Sequence, residues 1–443
     1  MSTHLHFMGI GGVSMSGLAR HYQAAGYRVS GCDAAASATT AQLAELGIDV
    51  RTGHDPSHLE GVDVLITSAA IASDAPERVE AERLGLPIRR RIDLLAELFS
   101  QHRAIGVTGT HGKSTTSAMV ASILLHAGAD PSIQLGASLP AIGGVMRYGQ
   151  GEHLVAEVDE SDPGFAQLAC DVALVTNLED DHIAGEHDER RTYHASLADL
   201  EAAVQRFARQ SSRLVVCADW PGLDALVAFH PDRVRYGEAP TAEYRIVNVE
   251  LFAESSAFEL HGPNGETVSV RLAVPGRHNV QNAAGAMAAA NAAGIPLDVA
   301  AAGLATFGGV GRRWQRWGEI DGALIIDDYA HHPTEVAAML EIARATGRRV
   351  RAVLQPHRWV RTARHWPALA DAAAAADEIL VLDVYGAGER PIAGVSSQRI
   401  VERLRAAGRP ASHHDLVSAE RYLADTLATG DLVITLGAGD VWR

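Results

Sequence analysis

The chain has 443 residues, too many for one hydrophobic core, so its length points to two to four domains of about 100–200 residues each. With 47% hydrophobic residues and no apolar run of membrane length, its make-up is that of a soluble globular protein. The net charge of −16 excludes a general nucleic-acid binder, which needs a basic surface to displace counterions; anionic ligands must be met by local clusters of Arg and Lys.

The start, MSTHLHFMGIGG, lacks a basic segment and a cleavage site, which predicts a cytoplasmic protein. Cys32, Cys170 and Cys217 are widely spaced with no C-x-x-C, so the spacing indicates neither a disulfide framework nor a zinc-thiolate site.

The first hundred residues alternate strands and helices. HLHFMGI, a helix from about Ser14, YRVSGCD, the helical TTAQLAELG and DVLITSAAI form βα units, and RRRIDLLAELFSQ closes them. Repeated units of this kind imply a parallel sheet. GIGGVSMSG, residues 9–17, follows the first strand and opens a helix, with Asp33 ending the second strand. It nearly matches the dinucleotide fingerprint G-x-G-x-x-G, with Ser14 in the third glycine's place. Three readings stand: a nicotinamide site, a site for another pyrophosphate-containing nucleotide, or only a tight βα turn.

The second unit opens at HRAIGVTGTHGKSTTSAMVASILLHAG, which reads as strand, glycine loop and helix. The usual phosphate loop is G-x-x-x-x-G-K-[ST]; here Gly112, Lys113 and Ser114 align, but Val107 stands where the first glycine belongs. Gly109 and Gly112 still allow close approach of backbone N–H groups to a phosphate. Of the 38 basic residues 37 are Arg, and Lys113 is the single lysine. A compact ammonium has been kept where a planar guanidinium is too wide to sit between β- and γ-phosphates.

EHLVAEVDESD and CDVALVTNLEDDH are further apolar runs ending in acidic and His residues, so Lys113, Glu157 and His182 are expected to converge at strand ends. Ser114 and Glu157 suit Mg²⁺, which prefers oxygen ligands; His182 reads equally as a structural histidine. With no second lysine, a carbamoylated lysine bridge is excluded. EYRIVNVELF and SAFELHGPNGETVSVRLAV alternate apolar and polar residues about Asn264-Gly265, an antiparallel hairpin, and NVQNAAGAMAAANAAG is a helix.

The third unit starts near Phe307 with strands ALIIDD, RVRAVLQ, DEILVLDV and DLVITLGAG. Arg312 and Arg313 are placed to reach phosphate and Asp328 a ribose hydroxyl, although each alone also reads as a solvated charge. QPHRWVRTARHW gathers His357, Arg358 and Arg361, whose guanidinium forks suit a carboxylate; an exposed basic helix start is the competing reading. The expected fold is therefore α/β in three domains: a Rossmann-like domain over 1–102, a central P-loop ATPase-type sheet over 103–308, and a C-terminal Rossmann-like domain over 309–443.

Taken together, TGTHGKS, GIGGVSMSG, EVDESD, GRHNVQNA, DDYAHHPTEV, QPHRWVRT, DVYGAGE and the final GAGD resemble the Mur ligases, the ATP-dependent amide-forming enzymes of peptidoglycan precursor synthesis, along essentially the whole chain. The family's own loop reads T-G-T-x-G-K-[ST]. The motif set is similar to the branch that adds L-alanine to UDP-N-acetylmuramate; the branch that recycles L-alanyl-γ-D-glutamyl-diaminopimelate tripeptide is the nearest alternative. A nicotinamide oxidoreductase and a non-catalytic nucleotide-binding regulator are more distant ones.

The resemblance implies that Gly109, Thr110, His111, Gly112, Lys113, Ser114 and Thr115 hold ATP phosphates. It implies adenine contacts from Asn279 and Asn282, with Arg313 and Asp328 completing the ATP site. Ser114, Glu157 and His182 would hold Mg²⁺. Tyr329, His331, His357, Arg358 and Arg361 would form the amino-acid pocket, with His331 or His357, or the leaving phosphate itself, taking the amine proton. Gly9, Gly11, Gly12, Ser14, Ser16, Asp33 and Ser68 would take the UDP moiety. No nucleic acid or membrane partner is expected, and a monomer or homodimer is. The chain departs from the family where D-H-M-D is replaced by Asp181, His182, Ile183 and Ala184, and in its short end at GAGDVWR.

Overall fold

The computed structural model describes residues 2–68, 71–183 and 194–443. Among them the chain builds three sheets joined by helices. The first is parallel, with β1 (His4–Met8), β2 (Arg28–Asp33), β3 (Asp49–Thr52), β4 (Val64–Thr67) and β5 (Ile88–Arg90) in the order β3-β2-β1-β4-β5. This is the Rossmann order. Its crevice lies between β1 and β4, where the winding reverses and ligands of such sheets bind.

The central sheet has ten strands among the described residues: β6 (Arg103–Thr108), β7 (Ser132–Leu139), β8 (Gly144–Arg147), β9 (His153–Glu157), β10 (Val172–Val175), β11 (Arg213–Cys217), β12 (Arg233–Gly237), β13 (Tyr244–Leu251), β14 (Ser256–His261) and β15 (Thr267–Leu272). Their order is β15-β14-β13-β12-β11-β10-β6-β9-β7-β8. The β14–β15 hairpin is antiparallel and turns through Gly265, whose φ of +86° suits a residue without Cβ. Val107 is fully buried inside β6, paired to Leu174 on one side and Glu157 on the other. The position that lacks the usual glycine is thus a core strand position, and a branched apolar side chain is what a strand buried on both faces takes.

The third sheet comprises β16 (Gln315–Ile320), β17 (Ala323–Asp328), β18 (Arg349–Leu354), β19 (Glu378–Leu382), β20 (Ala411–His414) and β21 (Asp431–Leu436), in the order β16-β17-β21-β18-β19-β20. All are parallel except β16. The four strands expected here are present; β16 and β20 are edge strands whose polar sequences, QRWGEI and ASHH, carry no apolar run. Residues 437–443 form no helix: Val441 is buried, and Gln355 donates to Asp440 Oδ1 at 2.7 Å.

One apolar core runs from Leu5 and Phe7 through Leu98 and Phe99 of helix Arg91–Gln101 into Ile105 and Val107, uniting the first two sheets. The third sheet has its own core, from Leu324 to Leu436. The central and C-terminal bodies therefore meet mainly through polar side chains, an interface type compatible with relative motion.

Candidate functional site

The loop after β6 is built around two glycines. Gly109 has φ +131°, and a Cβ there would lie 2.2 Å from Thr176 Oγ1; Gly112 has φ +80°, and a Cβ would meet Asn282 Oδ1 at 2.5 Å. Helix Lys113–His126 starts directly after Gly112, so its unpaired N–H groups and positive end face whatever enters the loop. The Lys113 ammonium donates to the carbonyls of Gly109 (2.8 Å) and Thr110 (3.1 Å) and pairs with Glu160 Oε2 at 2.7 Å. Its three N–H bonds thus have three acceptors. Burial opposes its charge, but Glu160, Asp159 and Glu157 outweigh that and raise its pKa. Glu160 is fully buried, and burial pushes it up to about 7 against the pull of Lys113.

Glu157 ends β9 level with Val107 and accepts from the Gly136 N–H at 2.8 Å. A Cβ on Gly136 would stand 2.4 Å from Glu157 Oε1, so the glycine makes room for the carboxylate. His182 sits in the left-handed region (φ +56°), with Nε2 3.6 Å from Glu160 and 3.5 Å from Asp181. Burial lowers it to about 3 in spite of Asp181, so the imidazole is neutral at physiological pH. Ala184, where the family's usual acid is replaced, lies outside the described residues.

The C-terminal body faces this wall. Arg361 grips Asp181 with both arms of its fork, at 2.9 and 3.0 Å, and both side chains are more than nine-tenths buried. Arg364 pairs with Asp180, and Thr334 donates to Glu179 at 2.9 Å. His111 of the phosphate loop bridges the two bodies, with Nε2 2.9 Å from Glu179 and Nδ1 3.1 Å from Glu335. Burial disfavours its charge, yet the two carboxylates win and raise it to about 9.

Two of the cavities along this seam adjoin the phosphate loop. One, of about 540 Å³, is lined by Thr110, Lys113, Ser114, Glu157 and His182 on one side and Arg313, Tyr329, His331, His357, Arg358 and Arg361 on the other. The second, of about 230 Å³, is lined by His111, Thr115, Asn279, Asn282 and Asp328 among apolar walls from Val274, Phe307, Val310 and Met339. Gly112, Ser114 and Arg313 border both. Asp328 is buried, which pushes it up to about 6 against Arg313 and two backbone donors, the N–H groups of Trp314 and Ala330.

Within the larger cavity the His tautomers follow from their partners. His331 Nδ1 lies 2.9 Å from the Tyr329 carbonyl, which can only accept, so Nδ1 carries the proton and Nε2 is an acceptor. Arg361 donates to His357 Nδ1 at 3.2 Å, so that nitrogen's lone pair is taken. Burial lowers His331 to about 4 and His357 to about 2, the latter also because His331, Arg361 and Arg358 surround it. Arg358 (φ +65°) donates to Glu389 Oε1 at 3.4 Å.

In the first domain, residues 9–16 form the β1–helix turn at the crevice. Gly9 has φ +70°, and the Gly11 N–H donates to Asp33 Oδ2 at 2.9 Å; a Cβ on Gly11 would sit 2.9 Å from that oxygen. Gly12 precedes helix Val13–Ala24, which carries Ser14 and the buried Ser16, and Ser68 follows β4 across the crevice. None of these seven residues lines the two cavities. The helix instead abuts β8, with Gly17 against Met146, one strand from the Gly136–Glu157 contact.

Sequence reading did not single out Glu160, Asp181, His111's bridge to Glu335, or Glu179. EVDESD and NLEDDH display these acids, but which of several adjacent carboxylates turns inward is a matter of backbone direction after the strand end.

Residues 4–103 match the Mur ligase family, catalytic domain, residues 107–290 the Mur ligase middle domain, and residues 312–439 the Mur ligase, glutamate ligase domain. The UDP-N-acetylmuramate–L-alanine ligase of Deinococcus radiodurans is 44% identical over all of this chain and 92% of its own length. The crystal structure of UDP-N-acetylmuramate-alanine ligase from Thermotoga maritima superposes with a TM-score of 0.84 at 28% identity, covering 99% of this chain and 96% of that one. A murein peptide ligase from Psychrobacter arcticus superposes at 0.71 over 99% of this chain and 96% of its own with 23% identity, a likeness of fold alone. Three consecutive domain matches thus span nearly the whole chain that carries this site, and the chain belongs to the Mur ligase family.

Proposed function

We propose that the protein is an ATP-dependent ligase that joins L-alanine to the muramate carboxyl of UDP-N-acetylmuramate, in the cytoplasm, through an acyl phosphate. The observation that carries this is the single 540 Å³ cavity in which the phosphate-loop lysine, Glu157 and His182 face His331, His357 and Arg358. Residues 1–102 would bind the UDP moiety through Gly9, Gly11, Gly12, Ser14, Ser16, Asp33 and Ser68. Residues 103–308 would hold ATP, and 309–443 would complete the ATP and amino-acid sites.

The smaller cavity suits a purine: apolar walls carry Asn279 and Asn282, while Arg313 and Asp328 stand at its edge. From there the triphosphate would run over Gly112 and Ser114 into the larger cavity. Lys113 would stabilise charge on the transferred phosphoryl group, and the loop N–H groups would hold its oxygens. The muramate carboxylate attacks the γ-phosphorus, ADP leaves, and the alanine amine then attacks the acyl carbon with loss of phosphate. Ser114 and Glu157 offer the hydroxyl and carboxylate oxygens that a hard divalent cation takes, with His182 beside them, so the donors fit Mg²⁺. When bound, Mg²⁺ would neutralise phosphate charge.

Arg358 would take the alanine carboxylate, since the Arg361 fork already holds Asp181. His331 Nε2 would accept the amine proton, because His357 Nδ1 is engaged by Arg361. The Arg361–Asp181 and His111–Glu335 contacts would keep the two bodies closed and water away from the acyl phosphate.

The test is phosphate release from ATP and Mg²⁺ with UDP-N-acetylmuramate and either L-alanine, L-alanyl-γ-D-glutamyl-diaminopimelate or no acceptor. Release that requires L-alanine is expected; release only with tripeptide would make this a recycling ligase, and none with either would overturn the proposal.

A further inference from the structure

Behind the first-domain loop lies a second cluster of ligating side chains, remote from the ATP cavities. His6 on β1, Cys32 on β2, His58 in the turn Pro56–Leu59 and Glu77 in helix Pro76–Leu84 bring four ligand atoms within 4.8 Å of one another. His6 is 1% exposed, and Cys32 and Glu77 are fully buried. Pairing of His6 with Ser30 and Met8 with Cys32 puts His6 and Cys32 on the same face of the sheet.

Two features mark the cluster as suited to a cation. His6 Nε2 and Glu77 Oε2 are buried and have no hydrogen-bond partner. A buried carboxylate is ordinarily paired with a cation, yet among the described residues no Lys or Arg lies within ion-pair distance of Glu77; only His54 and His58 do. Its one engaged oxygen, Oε1, is shared by the Cys32 thiol (3.2 Å), His58 Nδ1 (3.1 Å), His54 Nδ1 (3.2 Å) and the Asp55 N–H (3.1 Å).

We propose that His6 Nε2, Cys32 Sγ, a ring nitrogen of His58 and the Glu77 carboxylate form a structural transition-metal site, with Zn²⁺ as the fitting ion. A tetrahedral zinc with bonds of about 2.0–2.3 Å sets its ligands about 3.3–3.8 Å apart. The Cys32–Glu77 and His58–Glu77 separations, 3.2 and 3.1 Å, lie just below that range, and since no separation in the set exceeds 4.8 Å the contraction needed is at most about 1 Å. Thiolate and carboxylate together neutralise the ion, and the thiol proton that Cys32 now donates to Glu77 leaves to solvent. The first-domain scaffold also supplies an outer shell. His6 Nδ1 is 2.9 Å from Ser30 Oγ, which in turn is 2.8 Å from His4 Nε2, so the ring is oriented by its other nitrogen. His54, 3.4 Å from Cys32 Sγ, borders the site.

The ion would tie β1 and β2 to the Pro56–Leu59 turn and helix Pro76–Leu84. It also sits beside Asp33, and the Cys32 carbonyl accepts from Gly9 and Ile10, so the site braces the glycine turn from behind.

The experiment uses the full chain, stripped with a chelator and titrated with Co²⁺ and then Zn²⁺. Stoichiometric Co²⁺ uptake is expected to give a thiolate-to-cobalt charge-transfer band and tetrahedral d–d bands, both bleached by Zn²⁺. The band should vanish in Cys32→Ser and persist in Cys217→Ser. A cation held by oxygen ligands at the phosphate loop gives no thiolate band, so the two sites are told apart. Excess Zn²⁺ should raise the melting temperature by several degrees. Should Cys32→Ser fail to fold, X-ray absorption of the zinc-loaded wild type should read one sulfur at about 2.3 Å. No thiolate band, no sulfur in the zinc shell, or a melting temperature indifferent to metal would each overturn the proposal and leave a metal-free hydrogen-bonded network.

Discussion

Replacing Lys113 by Arg tests the phosphate loop without removing its charge. In the structure three acceptors converge on one point: the Gly109 and Thr110 carbonyls at 2.8 and 3.1 Å and Glu160 at 2.7 Å. The side chain is 13% exposed. An ammonium meets such a cage because its donors radiate from one atom, whereas a guanidinium spreads its donors in a plane and overshoots. Glu160 keeps a cationic neighbour in the variant, so the fold should survive with a near-normal melting temperature. What is lost is one charge-assisted contact to the transferred phosphoryl group, worth about 3–4 kcal/mol, or about 10²–10³-fold in kcat. The assay is phosphate release from ATP with UDP-N-acetylmuramate and L-alanine, run beside a thermal melt. Turnover within a fewfold of wild type in a folded Lys113→Arg protein would refute the role given to this lysine.

Three further outcomes are expected. Gly136→Ala puts a Cβ 2.4 Å from Glu157 Oε1, so it should raise the Mg²⁺ concentration for half-maximal turnover at least about tenfold, as a misplaced metal ligand does, with the fold intact; an unchanged Mg²⁺ titration would remove Glu157 from the metal. Arg361→Gln leaves Asp181 buried without its cation, a loss of about 3–5 kcal/mol that should open the seam between the central and C-terminal bodies; small-angle scattering with ATP analogue should show less compaction than wild type. His111 is raised from 6.5 to about 9, so its stabilisation is complete below pH 6.5 and disappears as pH rises through about 9, a difference of about 3 kcal/mol. Melts between pH 6 and 10 should show that alkaline decline in wild type and much less of it in His111→Asn.

Much of the strand–loop–helix order was legible because buried parallel strands carry apolar runs, as AIGV, LVA and VALV show. Of the strands that escaped notice, β3, β5, β16 and β20 are edges whose side chains meet water and carry no such run, whereas β7, β11 and β12 lie inside the central sheet and were passed over although β11 is a buried apolar run. At the candidate site, glycines and the lone lysine were readable since backbone conformation and charge type are local properties. Arg361 could be named as part of a basic cluster, but its commitment to Asp181, 180 positions away in the chain, could not.

The sequence by itself determined which residues can bend the backbone, carry charge or bury apolar surface, and with that the order of βα units and the loop at Gly109, Gly112 and Lys113. Tertiary structure alone decided what depends on distance between remote segments. It set which carboxylate faces Lys113, how His111 clasps two bodies, and that His6, Cys32, His58 and Glu77, patternless in spacing, surround one point. Local propensity acts over a few residues, whereas electrostatics and coordination act through space.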